Sequence, residues 1–406
     1  MPENGMPEDR PFDPREPPDD PWASLAALRS HGAVADFPDA GLHALLTYEA
    51  VRDAFAAPEQ YSSRYNIKPD GDYSIVSSDP PEHTRQRKIL NRVLTPLRVT
   101  QLEPRVRVIT DQIVDRFPER GPLDIVTAFA FLLPVTVLAE LLGVPDADRE
   151  QFRRWSDEQL SQSLGAGTSP LAQEFKQWAL DQIEERRRAG GPDDDLIGRL
   201  ALTDADGERL TAWEAASTLV LLVVAGHETT TNAIANTIRL LVEQPGLVAR
   251  LRADRSLISA FVEESLRLDP PVTALPRKTR TVVSVDTASA SAAASRVDTG
   301  QIGAGEVVLL HMGAANRDPE FVNEPDQCLL DRDLSGPHLA FGFGIHLCLG
   351  AALARAELRI AVETLLDRLT GLRTVPAQKI EQTHAYIFRG PQRYLIDYDH
   401  REPRHG

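Results

Sequence analysis

Cysteine is nearly absent from this chain: two residues, Cys328 and Cys348, stand among 406. Two thiols cannot build a four-cysteine zinc site or a disulfide framework, so each must be explained singly, by packing or by chemistry. Basic tracts are missing as well, and the net charge is -16. Phosphate backbones are gripped by clustered Lys and Arg, so this balance argues against a nucleic-acid partner. Long apolar runs are lacking too. The longest, residues 219–226, is far too short to span a bilayer, and no membrane segment is expected. The opening MPENGMPEDRPFDPREPPDDPW has neither the basic region nor the apolar core of a secretory signal, so a cytoplasmic protein is expected.

Apolar residues make up 42% of the chain, enough for a large core. Residues 1–20 hold too few of them to fold and are expected to be a disordered, acidic, proline-rich tail ahead of one domain over 21–406. Helical periodicity follows at 22–31, 48–56, 81–94, 100–116, 125–142, 147–163 and 170–188. A capping box formed by Thr211 and Glu214 opens a helix of about thirty residues that Pro245 stops. Further helices are expected at 256–268 and 349–369, with strands at 42–47, 279–285, 306–310 and 385–397. Between two of those strands the low-complexity stretch 287–295, TASASAAAS, reads as a surface loop. The pattern is a mainly α fold with small β-sheets.

The segment 341–350, FGFGIHLCLG, concentrates three glycines around Cys348, just before an apolar helix. Glycines let a backbone approach a flat ligand closely. The free amides and positive end of the helix would stabilise a thiolate and tune a metal bound to it. A buried cysteine in a glycine turn, or a nucleophilic thiol with His346 as base, would use the same residues.

This segment resembles the heme-binding loop of the cytochrome P450 family at Phe341, Gly344, His346, Cys348 and Gly350. The resemblance implies a single-domain P450 fold and heme b (iron protoporphyrin IX) as cofactor. It makes Cys348 the axial thiolate, with Phe341 packed beside it and Gly350 against the cofactor.

Further motifs fall in the family's order. Ala225-Gly226-His227-Glu228-Thr229-Thr230 interrupts the apolar run of the long helix with poor helix-interior residues. The physical reading is a widened turn in which hydroxyls replace broken backbone bonds. A solvent-facing polar patch is the alternative, and the apolar flanks argue against it. By resemblance Ala225 touches the cofactor, while Glu228 and Thr229 form an acid–alcohol pair that relays protons for oxygen–oxygen cleavage. Glu264 and Arg267, three apart, share a helix face. With Arg332 the resemblance makes them a buried ion network that serves folding and heme retention. Cys328 stands where the family usually has an aromatic residue, so looser packing is expected there. His83 and Arg87, four apart, would face one side of a helix; with Arg277 and His346 they are the implied ligands of the heme propionates.

The resemblance implies an O2-dependent monooxygenase that hydroxylates or oxidatively demethylates a small, largely apolar molecule. Its pocket would draw on the 60–78 loop, Leu221, Ala225, Val272, Thr273, Leu275, Ile387 and Phe388. Arg64 and Lys68 are loop charges able to meet a carboxylate. No Gly-x-Gly-x-x-Gly follows a strand, because Leu347 occupies the third glycine's place after Gly342 and Gly344. Electrons would therefore come from a separate ferredoxin or flavodoxin with its reductase, and Arg85, Lys88 and Arg92 form a candidate docking stripe. A peroxide-driven enzyme and a non-catalytic heme sensor are the alternatives, and neither needs the acid–alcohol pair.

Overall fold

A computed structural model describes residues 12–65, 74–144, 148, 150–152, 154–155, 169–190, 195–285, 300–332, 336–383 and 387–400. The N-terminal part carries α1 (Trp22–His31), β1 (Val34–Phe37), β2 (Leu42–Leu45), α2 (Tyr48–Ala56) and β3 (Tyr61–Ser62). Then come α3 (Glu82–Val93), α4 (Pro96–Val114), β4 (Leu123–Asp124), a π-helical turn (Val126–Ala130) and α5 (Leu132–Leu142). The middle holds α6 (Pro170–Ala189), α7 (Leu196–Leu202), the β5–β6 hairpin (Asp204–Ala205, Glu208–Arg209) and α8 (Ala212–Glu243). After it run α9 (Leu247–Ala253), α10 (Ile258–Leu268), β7 (Leu275–Thr279), β8 (Val283–Val285), β9 (Gly300–Ile302), β10 (Val307–Leu310) and α11 (Met312–Ala315). The chain closes with α12 (Ala351–Arg368), β11 (Leu369–Thr374) and β12 (Leu395–His400).

The axis of the molecule is α8, 32 residues long, or about 48 Å at 1.5 Å per residue. Thr211 and Glu214 cap it reciprocally, with the Thr211 amide donating to Glu214 at 2.7 Å and the Glu214 amide donating back at 3.1 Å. Its C-terminal half joins a core of α4, α10 and α12 residues, including Ile109, Phe261 and Leu365. Its N-terminal half packs with α3, α5, α6 and α7 through Leu90, Leu142, Phe175 and Leu200. A mixed sheet in the order β1-β2-β10-β7-β3 lies beside this body, and β11, β12 and β4 make a second small sheet. Among the described residues no helix is long and apolar enough to cross a membrane.

Several elements differ from the sequence expectations. Helix α4 starts at Pro96, since proline at a first turn removes only an amide that has no helical partner. Helices α7 and α9 were not anticipated; Asp195 caps the first, and the second follows a left-handed Gly246 directly after Pro245. The strand expected at 279–285 divides into the end of β7 and β8, because Pro276, Arg277 and Lys278 hide the alternation of β7 from view. The long C-terminal strand shrinks to β12, with Phe388 making only an isolated bridge to Val272. The helix expected at 147–163 and the loop at 287–295 fall largely and wholly, respectively, outside the described residues.

Residues 12–20, marked for disorder by composition, make contacts: Phe12 lies 6.0 Å from the Phe37 ring, and Arg15 donates to the Asp39 carbonyl at 3.1 Å. Prolines 14, 17 and 18 line a crevice against Thr273 and Ala274, just ahead of β7, and Leu309 of β10.

Charges are buried in pairs. The Arg267 guanidinium, 0% exposed, donates to Glu264 at 2.7 and 2.9 Å and to the carbonyls of Asn316, Pro325 and Gln327. Arg332 donates to the same carboxylate at 3.1 Å, and so does the Leu329 amide at 3.0 Å. These guanidiniums hold Glu264 below the usual carboxylate range against the opposing effect of its burial. Cys328 sits next to this network, and burial pushes its thiol up to about 11, so it packs as a neutral residue. Replacing Glu264 with Ala leaves two buried guanidiniums without their shared acid. Urea unfolding should show a loss of about 3–5 kcal/mol; a loss below about 1 kcal/mol, typical of an exposed pair, would contradict the network's role.

Candidate active site

Two left-handed glycines, Gly342 (φ 72°) and Gly344 (φ 69°), shape the cysteine loop. A Cβ on Gly344 would stand 2.5 Å from the Phe55 carbonyl oxygen, so only glycine lets the loop lie against α2. The Cys348 amide donates to the Phe341 carbonyl at 2.9 Å. Helix α12 begins three residues later, and the backbone amides of Gly350 and Ala351 hydrogen-bond the sulfur. Phe341 is held beneath by Arg355, whose guanidinium lies 4.4 Å from the ring centre and donates to Glu263 at 2.7 and 2.9 Å.

Cys348 is accessible although the chain surrounds it on nearly every side. That combination describes a thiol facing an internal space. Burial raises its pKa, while the Gly350 amide, Arg87, Arg355 and the Ala351 amide pull the other way. A coordinating metal deprotonates such a thiol outright. Neighbouring packing brings other site elements to the loop. Leu349 joins the cluster of Leu219 and Val223 on α8, and Phe343 joins that of Val272 and Leu275.

Within α8, Ala225 is exposed in an otherwise largely buried stretch. The helix stays α-helical throughout, so the widened turn expected here is absent. The Thr229 hydroxyl donates to the Ala225 carbonyl at 2.5 Å, a back-bond that fits within an intact helix. Glu228 is buried with neither carboxylate oxygen partnered among the described residues, and burial alone pushes it up to about 7. His227 is held down to about 4 by burial and hydrogen-bonds the backbone of Phe131, just after the π-helical turn. It is neutral at physiological pH. Composition had marked this helical patch as a whole, with no signal singling out His227.

A second group of donors collects beside the loop. The rings of His83 and His346 lie 4.2 Å apart, and Ser63 shares a hydrogen bond with His346 at 2.9 Å. Arg277 is buried; its one hydrogen bond among the described residues goes to the Pro276 carbonyl at 2.8 Å. Desolvation lowers its pKa to about 10. Burial, then Arg277, His83 and Arg87, press His346 down to about 3. Arg87 donates to Asn91 at 3.1 Å and makes no ion pair with an acid among the described residues. The nearest acid, Asp79, is already engaged by Ser62, the Ser63 amide and Arg280. Four positive or donor groups thus converge without a matching anion, which suits a ligand carrying carboxylates. An accessible enclosed thiol beside an unmatched cationic cluster fits heme on both counts.

Other sequence candidates are placed differently. Leu221, Val272, Thr273 and Leu275 are half-buried. Ile387 instead packs with Ala274 and Leu309 on the outer cluster of the sheet, and Phe388 lines the crevice with Phe12 and Pro14. Both therefore seat the C-terminal turn, because the Ile387 carbonyl is drawn down by the Thr273 amide at 2.8 Å. The expected docking stripe is also corrected. Arg85 is bonded to Glu214, Lys88 to Asp206, and Arg92 to the Asp204 carbonyl at 2.9 Å, so acids of the β5–β6 hairpin and α8 offset its charge. Arg64 pairs with Glu82 at 3.0 Å, and Lys68 lies outside the described residues.

A sequence model of the cytochrome P450 family matches residues 158–396. The chain is 36% identical over 390 residues, 93% of each protein, to vitamin D(3) 25-hydroxylase of Pseudonocardia autotrophica. It is 38% identical over 323 residues, 78% of each, to mycinamicin IV hydroxylase/epoxidase of Micromonospora griseorubida. The solved structure of cytochrome P450 CYP109Q5 from Chondromyces apiculatus superposes with a TM-score of 0.85 at 34% identity, covering 95% of this chain and 97% of that one. This chain belongs to the cytochrome P450 family, whose members bind heme b through a cysteine thiolate, and it is a P450 monooxygenase.

The unmatched Arg277 gives a two-sided prediction. Arg277→Met should raise the melting temperature of heme-free protein, because a buried unpaired cation is removed. In the loaded protein the same change should speed heme transfer to apomyoglobin by about tenfold, the value of one lost charged hydrogen bond. Unchanged transfer would show that Arg277 holds no propionate.

Proposed function

We propose that Cys348 is the thiolate that holds heme b, and that Glu228 and Thr229 supply protons during hydroxylation of a small, largely apolar molecule. At a methyl group on oxygen or nitrogen the same attack ends in demethylation. The enclosed but accessible Cys348 thiol beside the unmatched donors His83, Arg87, Arg277 and His346 carries this reading. When bound, heme supplies the binding and reductive activation of O2.

The chain's residues divide the remaining work. Amides of Gly350 and Ala351 offset charge on the Cys348 sulfur and so tune its donation to a metal. Arg87 and Arg277 offer guanidinium forks to two carboxylates, with His83 and His346 as further donors. Glu228, held up to about 7, keeps a proton to give at neutral pH where an ordinary carboxyl has lost it. The Thr229 hydroxyl, next in sequence and one turn from Ala225, can pass that proton onward by exchanging its bond to the Ala225 carbonyl. Half-buried Leu221, Val272 and Leu275 give the space an apolar wall.

Electrons are assigned to a separate ferredoxin or flavodoxin with its reductase, since the sequence has no dinucleotide-binding glycine motif. Because Arg85 and Lys88 are paired with Glu214 and Asp206, an acidic partner docking on the 85–92 stripe would have to exchange with those acids.

The test uses a surrogate ferredoxin and reductase, with a substrate found by its shift of the ferric spin state. Glu228→Gln should slow product formation by about 100-fold, and Thr229→Ala should divert reducing equivalents to hydrogen peroxide. Wild-type activity should fall as pH rises through about 7, because Glu228 then loses its proton. That limb should vanish in Glu228→Gln. Full coupling in both variants would remove the pair from the reaction.

A further inference from the structure

Residues 271–275, which pack with Phe343 of the cysteine loop, and residues 387–390, which bridge to them, are tied to α8 by a buried polar clamp. Asn236 lies on the face of α8 that carries Thr229, seven residues or about two turns further on. Its side-chain amide donates to the Asp269 carbonyl at 3.1 Å and to the Arg389 carbonyl at 3.1 Å. The Arg389 side chain donates from Nε to Asp269 at 2.8 Å, and Arg239 of α8 bonds the other oxygen of that carboxylate. The Arg389 amide donates to the Pro271 carbonyl at 2.9 Å. Its guanidinium stands 5.2 Å from the Trp22 ring centre, with Arg317 4.4 Å away from the same ring. At Gly390 a Cβ would come 2.3 Å from Asn232, so the turn lies flush against α8.

The contacts lie at the root of residues 271–275, which reach the site, and of residues 387–390, which back them. Residues 271–275 leave Asp269 and carry Val272 and Leu275 into the cluster shared with Phe343. Residues 387–390 bridge back to them through the Thr273 amide and the Val272 to Phe388 pair. Asn236, Asp269 and Arg389 are buried, each no more than 7% exposed. Breaking one link therefore leaves a desolvated carbonyl or charge without its partner, so the two segments are held as one unit.

We propose that Asn236 and Arg389, acting through Asp269, are positioning residues that fix how far the 271–275 segment, backed by residues 387–390, stands from α8, and so set the size of ligand the site admits. This rests on the heme reading, because the ligand is taken to sit over Cys348. None of the three residues needs to touch it. Arg389 cannot be replaced by Lys without loss, since lysine has no Nε–H set partway along its side chain to donate to Asp269 while its end stays over Trp22.

The probes are imidazole and 4-phenylimidazole, nitrogen ligands whose binding to heme iron shifts the Soret band. The holoenzyme is compared with Asn236→Ala and Arg389→Lys. Imidazole is too small to reach the segments, and its Kd should stay within about twofold. The Kd of 4-phenylimidazole should weaken by about tenfold in Asn236→Ala and less in Arg389→Lys. Hydrogen exchange at the amides of residues 387–390 should quicken in both variants. Equal changes for both ligands, or none for either, overturn the proposal. So does unchanged exchange, which would show that the clamp does not hold the turn. If wild type itself gives no Soret response to either ligand, the heme reading fails and the size-setting role falls with it, while quickened exchange would still report the clamp.

Discussion

Everything in this molecule is arranged around a thiol that is desolvated and yet reachable. A cysteine in that position is unfavourable as a charged group unless donors or a metal meet it. The chain provides the donors in three ways: the first amides of α12, the cations Arg87 and Arg355 nearby, and a loop whose glycines permit the backbone to close over Phe341. None of these is free-standing. Arg355 is steadied by Glu263, the start of α12 by the apolar packing of its far side, and the segment beneath by the network of Glu264, Arg267 and Arg332. A local requirement at one sulfur thus propagates into the buried charges of α10 and the loop that follows α11.

The second constraint is charge balance. Arg277 is buried without an ion pair of its own among the described residues, and Asp79, engaged by Ser62, the Ser63 amide and Arg280, only partly offsets the group. In the same fold Asp269 is met by two arginines and Glu264 by two more. Where an ion pair serves structure, this chain completes it. The incomplete cluster beside Cys348 therefore reads as a seat for anions brought by a ligand, and Glu228 as the complementary case of an acid left unpaired so that it keeps its proton.

Much of this was legible in the residues. The glycines around Cys348, the capping box at Thr211 and the Glu264 to Arg267 spacing each carry a local physical requirement, and each appears where its pattern put it. The misses have physical causes as well. Strand β7 was hidden because its pairing with β10 and β3, set by distant chain, outweighs Pro276 and two charges. The turn over Ala225 keeps its helix because Thr229 bonds i−4 without displacing the backbone. Family resemblance alone put Ile387 and Phe388 in the pocket, but strand pairing with 272–273 turns them to the outer cluster and the proline crevice. The cations at 85–92 were counted as free because their acids, Asp206 and Glu214, lie over a hundred residues away in sequence.

The central claim is that iron in this protein is bound by the Cys348 sulfur. The most direct measurement is the absorbance spectrum of the reduced, carbon monoxide-bound protein, for wild type and for Cys348→His. A strongly red-shifted Soret band in wild type, replaced in Cys348→His by the band of histidine-ligated heme, is the predicted result. A wild-type band already of the histidine type, or a red-shifted band that survives the substitution, would contradict it.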